Sequence, residues 1–305
     1  SKNMAKMVEE MSDGRLTIRI DSANKHKSAL GIFDFVKSGQ YQMGHSASYY
    51  SKGKDFNTLF FTTVPFGMTA PEQYAWFYYG GGMELMKETY DQYGILSFPG
   101  GNTGVQMGGW FRKEINTVDD LKGLKMRIPG FAGEVLAKLG ASPTNIPSAE
   151  LYTALERNTI DASLDLRMGF HKIAPYYYTG WQEPATELQF MVNQKAYDSL
   201  PADLQKILTI AMKTAAYDMY SQSTHENGVN LKALQTDYPN IKIRTFPKPV
   251  MKAIRAANDE LLAEFAAKDP KTNKILESIT RYQHQVRAWT KFADQAYLES
   301  FEDEK

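Results

Sequence analysis

The sequence contains no cysteine, which removes disulfides, thiolate metal sites, iron–sulfur clusters and cysteine nucleophiles together. It has no net charge either, because 35 Lys and Arg balance 35 Asp and Glu. No global field therefore holds a polyanion, and a nucleic-acid partner is not expected. Nowhere does the chain approach the ~20 consecutive apolar residues of a membrane-spanning helix, and no basic start leads into an apolar h-region. With 22 glycines and 13 prolines in 305 residues, it is too poor in both for a disordered or fibrous chain. Walker A and G-x-G-x-x-G patterns are missing, and the glycine-dense stretch 100–109 has the wrong spacing to replace them. Nucleotide chemistry is left without a phosphate cradle.

What is present is the makeup of a globular protein, 43% hydrophobic and 23% charged. The length suits two lobes of roughly 100 to 150 residues each. Met4, Met7, Val8 and Met11 recur at helical spacing with no cap or strand before them, the mark of a mature or trimmed start. Residues 16–20 (LTIRI) alternate as a half-buried strand does. Helix patterns follow over 29–36, 72–90 and 133–139, and strand patterns over 41–46, 94–98 and 124–128. Strands separated by such helices imply crossover connections and a largely parallel sheet, so the class is α/β. From Pro201 a near-continuous helix runs to about Leu234, a short strand follows at 241–246, and helices over 250–268 and 274–301 close the chain. Helices of this length brace two lobes or pair with another subunit.

Gly44-His45-Ser46-Ala47-Ser48 nearly spells the nucleophile elbow G-x-S-x-G, but Ser48 stands where the second glycine admits the next helix. No acid and histidine partners can be nominated for Ser46, so a serine hydrolase is the alternative reading and a strand end the plainer one. The five histidines are scattered, and His225-Glu226 stops short of H-E-x-x-H. In 124–128, Leu124, Met126 and Ile128 share one face, Lys125 and Arg127 the other, and Pro129-Gly130 ends the run. Arg127 is therefore placed at the carboxyl end of a strand, where open α/β sheets bind ligands. Its rigid fork matches a carboxylate with two parallel hydrogen bonds. The bland reading is an exposed ion pair worth ~0–1 kcal/mol.

The stretch 120–130 (DLKGLKMRIPG), followed by 147–162 (PSAELYTALERNTIDA), resembles the signature of solute receptors of tripartite ATP-independent periplasmic (TRAP) transporters. Gly44-His45-Ser46, 64–68 (VPFGM), 101–106 (GNTGVQ) and 174–181 (APYYYTGW) resemble the branch that receives 2-oxo acids and related monocarboxylates. The resemblance covers most of residues 1–300. It implies a two-lobed periplasmic-binding-protein-like α/β fold with central mostly parallel sheets and long helices spanning the lobes. Lobe I would comprise 1–105 and about 192–245, lobe II 106–191, with C-terminal helices 246–305 packing across and able to dimerise. The implied function is a periplasmic receptor, not an enzyme, that closes on pyruvate, lactate or a similar acid and delivers it to membrane permease subunits.

The same resemblance assigns the site. Arg127 clamps the carboxylate, Gln106 ligates a cation and touches the substrate, Tyr49 or Tyr50 donates a hydroxyl, and Glu183 joins the cation shell. Trp110, Trp181 and Phe66 are expected as pocket walls. No catalytic cofactor is implied; the cation is Na⁺ or Ca²⁺, which takes oxygen ligands. One well-placed arginine favours one carboxylate over two, a receptor for a different organic acid being the other alternative. Three features depart from the family pattern. The usual opening strand and loop are missing, and the 24–28 loop (NKHKS) is unusually basic. Between Ala162 and Leu164, where relatives carry a Glu-Trp segment with further ligands, only Ser163 stands. That leaves open an absent segment or an incomplete cation site.

Overall fold

The computed structural model describes residues 1–300 apart from 23–24, 27, 29, 148–149 and 164–168. Asn24 and Lys27 of the basic loop, Ala29 at the expected helix start, Ser148 and Ala149, Leu164, and Phe301 at the expected end of the last helix lie outside the described residues.

Two sheets organise the chain. The first has the order β1 (Met43–Ser46), β8 (Glu187–Asn193), β2 (Ile95–Asn102), with β8 antiparallel to both neighbours. The second has the order β5 (Ser142–Thr144), β4 (Lys125–Arg127), β6 (Ala162–Ser163), β3 (Met107–Phe111), β7 (Tyr176–Gly180), β9 (Lys242–Arg244). There β4 is parallel to β5 and β6, β7 is parallel to β9, and β3 opposes β6 and β7. The α/β class holds, but the pairing is mixed rather than mostly parallel. The cause is topological: β1 and β2 are joined by a helical crossover and run the same way, while β8 returns from the second sheet and threads between them. Strand β9 pairs in the six-stranded sheet, not in the first sheet with which 192–245 is expected to belong.

Helix α1 (Lys2–Met11) buries Met4 and Val8 in a cluster with Phe190 and Val192 of β8 and with Leu208 and Met212 of the long α8 (Ala202–Asp237). The 16–20 stretch is in no ladder, yet Leu16 and Ile18 pack on this cluster, which is the burial that the alternation records. Helix α2 (Ile32–Lys37) precedes β1. The helix expected over 72–90 is two, α3 (Ala70–Tyr79) and α4 (Gly82–Tyr90), broken at Gly80-Gly81-Gly82. Gly81 has φ +89°, and a Cβ at Gly80 would meet the Tyr282 ring at 2.6 Å, so the break needs glycine twice over.

Helices α5 (Gly130–Lys138) and α6 (Leu151–Glu156) belong to the six-stranded half, and α7 (Gln194–Asp198) leads from β8 into α8. The chain closes with α9 (Lys248–Lys268), α10 (Pro270–Thr290), one π turn (Lys291–Gln295) and α11 (Ala296–Glu299). The largest core cluster draws on both halves, from Phe33 and Trp76 to Met126, Phe131 and Ile254.

Two crossovers between the sheets run side by side. Thr103 N–H donates to the Thr186 carbonyl at 3.2 Å and Gln106 N–H to the Glu183 carbonyl at 2.9 Å. The buried Glu187 carboxylate ties their first-sheet end, accepting from Gly100 and Gly101 N–H at 3.0 Å each and from Asn102 Nδ2 at 2.9 Å. These strands place Gln106 and Glu183 beside each other at the junction of the two halves.

Candidate functional site

Arg127 ends β4, and its neighbour in register on β5 is Thr144. It is 8% exposed and among the described residues is not paired with a carboxylate, so the surface ion pair is set aside. Nε donates to the Ile146 carbonyl at 3.2 Å and Nη2 to the Tyr50 hydroxyl at 3.0 Å. Among the described residues Nη1 makes no hydrogen bond, so the outer edge of the fork, Nη1 with the second hydrogen of Nη2, has no hydrogen-bond acceptor among them. Tyr50 accepts from Arg127, which leaves its own hydrogen for another acceptor.

Tyr49 and Tyr50 stand in a short 3₁₀ turn (Ser48–Ser51) just after β1, their rings edge-on at 4.5 Å. Tyr49 is buried, its main-chain N–H bonded to Thr62 Oγ1 at 3.2 Å. Burial and the neighbouring Tyr50 push its hydroxyl well above the usual range, with Arg127 pulling the other way and Glu183 adding to the push. It remains a proton donor. A Cβ on Gly130, at the start of α5, would meet the Tyr49 ring at 3.2 Å, so the glycine permits the two halves to touch here.

Glu183 is 4% exposed, and burial pushes its carboxyl up to about 7 against the pull of Arg127. Gln106 donates from Nε2 to Thr103 Oγ1, which leaves its carbonyl oxygen as an acceptor. The Gln106 carbonyl oxygen beside a desolvated, undercompensated carboxylate fits a hard cation as part of a shell. Among the described residues no group of three His, Asp or Glu could hold a metal, so the protein side chains alone do not complete it.

The expected wall residues divide. Trp181 is buried and stacks on Phe246 at 5.3 Å, and its Nε1 is buried with no hydrogen-bond partner among the described residues. Trp110 packs with Leu151, Leu155 and Tyr177 in a separate cluster. Phe66 faces elsewhere, its ring under the Arg255 guanidinium at 4.9 Å and lining a cavity of about 1150 Å³ between α9 and α10. Ser46 has no histidine hydrogen bond among the described residues; His45 bonds the Gly100 carbonyl at 2.9 Å and stacks on Phe190. Three polar groups were not anticipated: the Ile146 carbonyl, the Thr144 hydroxyl and the Gln182 side-chain amide, the last two buried with no hydrogen-bond partner among the described residues. Only Ile146 has a sequence signal, since Pro147 biases the residue before it to an extended backbone.

The model of bacterial extracellular solute-binding proteins, family 7, matches residues 1–269. The chain belongs to this family. The monocarboxylate 2-oxoacid-binding periplasmic protein of Nostoc sp. (strain PCC 7120) is 38% identical over 304 residues, 97% of this chain and 83% of its own. A TRAP periplasmic solute-binding protein from Pseudoalteromonas atlantica T6c, solved with sodium and pyruvate, is 92% identical with a TM-score of 0.97 over 99% of this chain and 93% of its own. One from Colwellia psychrerythraea, solved with calcium and pyruvate, is 80% identical with a TM-score of 0.97 over 98% and 93%. One from Bordetella bronchiseptica RB50, a mixed-occupancy dimer with copurified calcium and picolinate, is 35% identical with a TM-score of 0.94 over 98% and 90%. This family 7 chain is thus an extracytoplasmic TRAP solute receptor with the α/β fold of those structures, and the family is one of receptors, not enzymes. Among its described residues no helix is long and apolar enough to cross a membrane.

Proposed function

We propose that this receptor binds a small 2-oxo monocarboxylate such as pyruvate, with Na⁺ or Ca²⁺, and passes it to its TRAP permease. The observation that carries the reading is the Arg127 fork, fixed by Ile146 and Tyr50 with its outer edge unbonded among the described residues. A carboxylate on that edge receives two parallel hydrogen bonds from Arg127 and a third from Tyr50. A 2-oxo acid also offers a second oxygen to a cation held by Glu183 and Gln106, and the cation supplies the charge that the buried carboxylate lacks. The sequence-similar receptors solved with pyruvate and either cation agree with this chemistry.

Transport requires a bound state that differs from the free one, and a ligand drives closure only by binding the closed form better. We take the two sheets as the two lobes. Arg127 comes from the second and Tyr50 from the segment after β1, so an anion touching both favours closure. Calorimetric titration with pyruvate, lactate and succinate in sodium buffer tests the reading. Tightest binding of pyruvate supports it, and preference for succinate argues for a dicarboxylate receptor.

We further propose a homodimer through the C-terminal helices. Trp289, Phe292, Tyr297 and Leu298 are 65%, 80%, 66% and 66% exposed on α10, the π turn and α11. A second copy is the occupant that fits a patch so apolar at the end of long helices.

A further inference from the structure

The 64–68 stretch, expected to supply a pocket wall, is used differently. Phe66 has φ +59°, a left-handed conformation that a bulky residue adopts only where its surroundings impose it. Those restraints are visible on both sides of the turn. Phe66 N–H donates to the Gln182 carbonyl at 2.6 Å, which bonds the turn to the crossover immediately before Glu183. Gly67 N–H closes the turn on the Val64 carbonyl at 2.9 Å. From the opposite side, Gln283 Nε2 of α10 donates to the Phe66 carbonyl at 2.9 Å and Arg287 Nη2 to the Gly67 carbonyl at 2.7 Å.

We infer that the 64–67 turn couples α10 to the ligand site, with Gln283 a positioning residue for carboxylate binding that acts through Phe66 and Gln182. The inference rests on the receptor reading above. A strained turn has a relaxed alternative at negative φ, and the donors from α10 select the strained one. Without the Gln283 donor, Phe66 relaxes, its N–H turns from the Gln182 carbonyl, and the main chain carrying Glu183 loses an anchor. Glu183 and its main-chain partner Gln106 then lose their placement relative to Arg127. Among the described residues Gln283 has one side-chain hydrogen bond, to the Phe66 carbonyl, and none to Arg127, Tyr50 or Glu183, so any effect on binding is transmitted. The same linkage makes the ligand site sensitive to whatever packs on α10.

Calorimetry with pyruvate in sodium buffer, paired with thermal melts, tests this on the wild type, Gln283→Ala and Gln283→Lys. Gln283→Ala is expected to weaken binding about fivefold, the scale of one hydrogen bond, with a melting temperature close to wild type. Gln283→Lys places an ammonium donor within reach of the same carbonyl and is expected to restore affinity to within about twofold. If wild type fails to bind pyruvate, the receptor reading falls and the inference with it. If wild type binds and Gln283→Ala matches it, or both variants weaken equally, the coupling alone is overturned. A lowered melting temperature with unchanged affinity marks a structural role only and overturns it too.

Discussion

Arg127 and Tyr50, 77 residues apart, meet at 3.0 Å with the guanidinium donating and the hydroxyl accepting. Their hydrogen bond joins the end of β4 in the six-stranded sheet to the turn after β1 in the three-stranded one. Two further contacts follow the same line, Tyr49 against Gly130 and the Lys52–Glu134 ion pair at 2.5 Å. The half-exposed ion pair contributes little by itself, ~0–1 kcal/mol.

Because Tyr50 accepts from Arg127, its own proton is left for another acceptor, which in the proposed reading is the ligand. Tyr50→Phe keeps the ring and removes that donor. Pyruvate affinity is expected to fall about tenfold, the scale of a hydrogen bond to a charged acceptor, with the fold intact by circular dichroism. Unchanged affinity would remove Tyr50 from the site.

In the proposed reading, Glu183 supplies the charge that a cation needs. Chelator treatment and dialysis into sodium-free buffer are expected to weaken pyruvate binding at least tenfold, restored by Na⁺ or Ca²⁺. Glu183→Gln keeps an oxygen but loses the charge, so its pyruvate affinity should respond little to added cation. A full cation response in that variant would place the ion elsewhere.

Stability has its own pH dependence, set at α3 and α10. Arg287 donates to both Glu72 oxygens at 2.7 Å, and Thr290 and the Thr69 N–H add bonds at 2.7 and 2.8 Å. Burial pushes the Glu72 carboxyl up, but these partners outweigh it and hold the carboxyl below its ordinary 4.5. The resulting stability is present above pH 4.5 and is lost as pH falls through the lower folded-state value. Melts between about pH 5 and about pH 3 should therefore fall more steeply for wild type than for Glu72→Gln. Arg287→Ala strands a buried carboxylate and is expected to cost about 3–5 kcal/mol.

Oligomeric state follows from the exposed end of the chain. Sedimentation is expected to give a dimer for wild type and a monomer for Phe292→Asp with Trp289→Asp, since charge at a covered apolar contact is costly. A monomeric wild type contradicts the proposed homodimer.

The α/β class and most helices were legible in the sequence because apolar spacing reports burial directly. Pairing partners were not: nothing local in Glu187–Asn193 says that it threads between β1 and β2. Periodicity also carried the 72–90 helix across Gly80-Gly81-Gly82, where crowding by Tyr282 and a positive φ at Gly81 override it. At the site, Arg127 was legible as a fork at a strand end, and its proximity to Tyr50 came through family likeness rather than spacing. Phe66 shows the limit. An aromatic in a stretch that resembles a family motif reads as a wall, whereas its backbone bonds to Gln182 and Gln283 are invisible to side-chain chemistry.

The central claim is that the Arg127 fork holds the ligand carboxylate, and titration of pyruvate into Arg127→Ala and Arg127→Lys tests it most directly. The account predicts no measurable heat with Arg127→Ala and most of the affinity lost with Arg127→Lys, which keeps the charge but not the two parallel donors. Wild-type affinity in Arg127→Ala, with the protein folded, would contradict it.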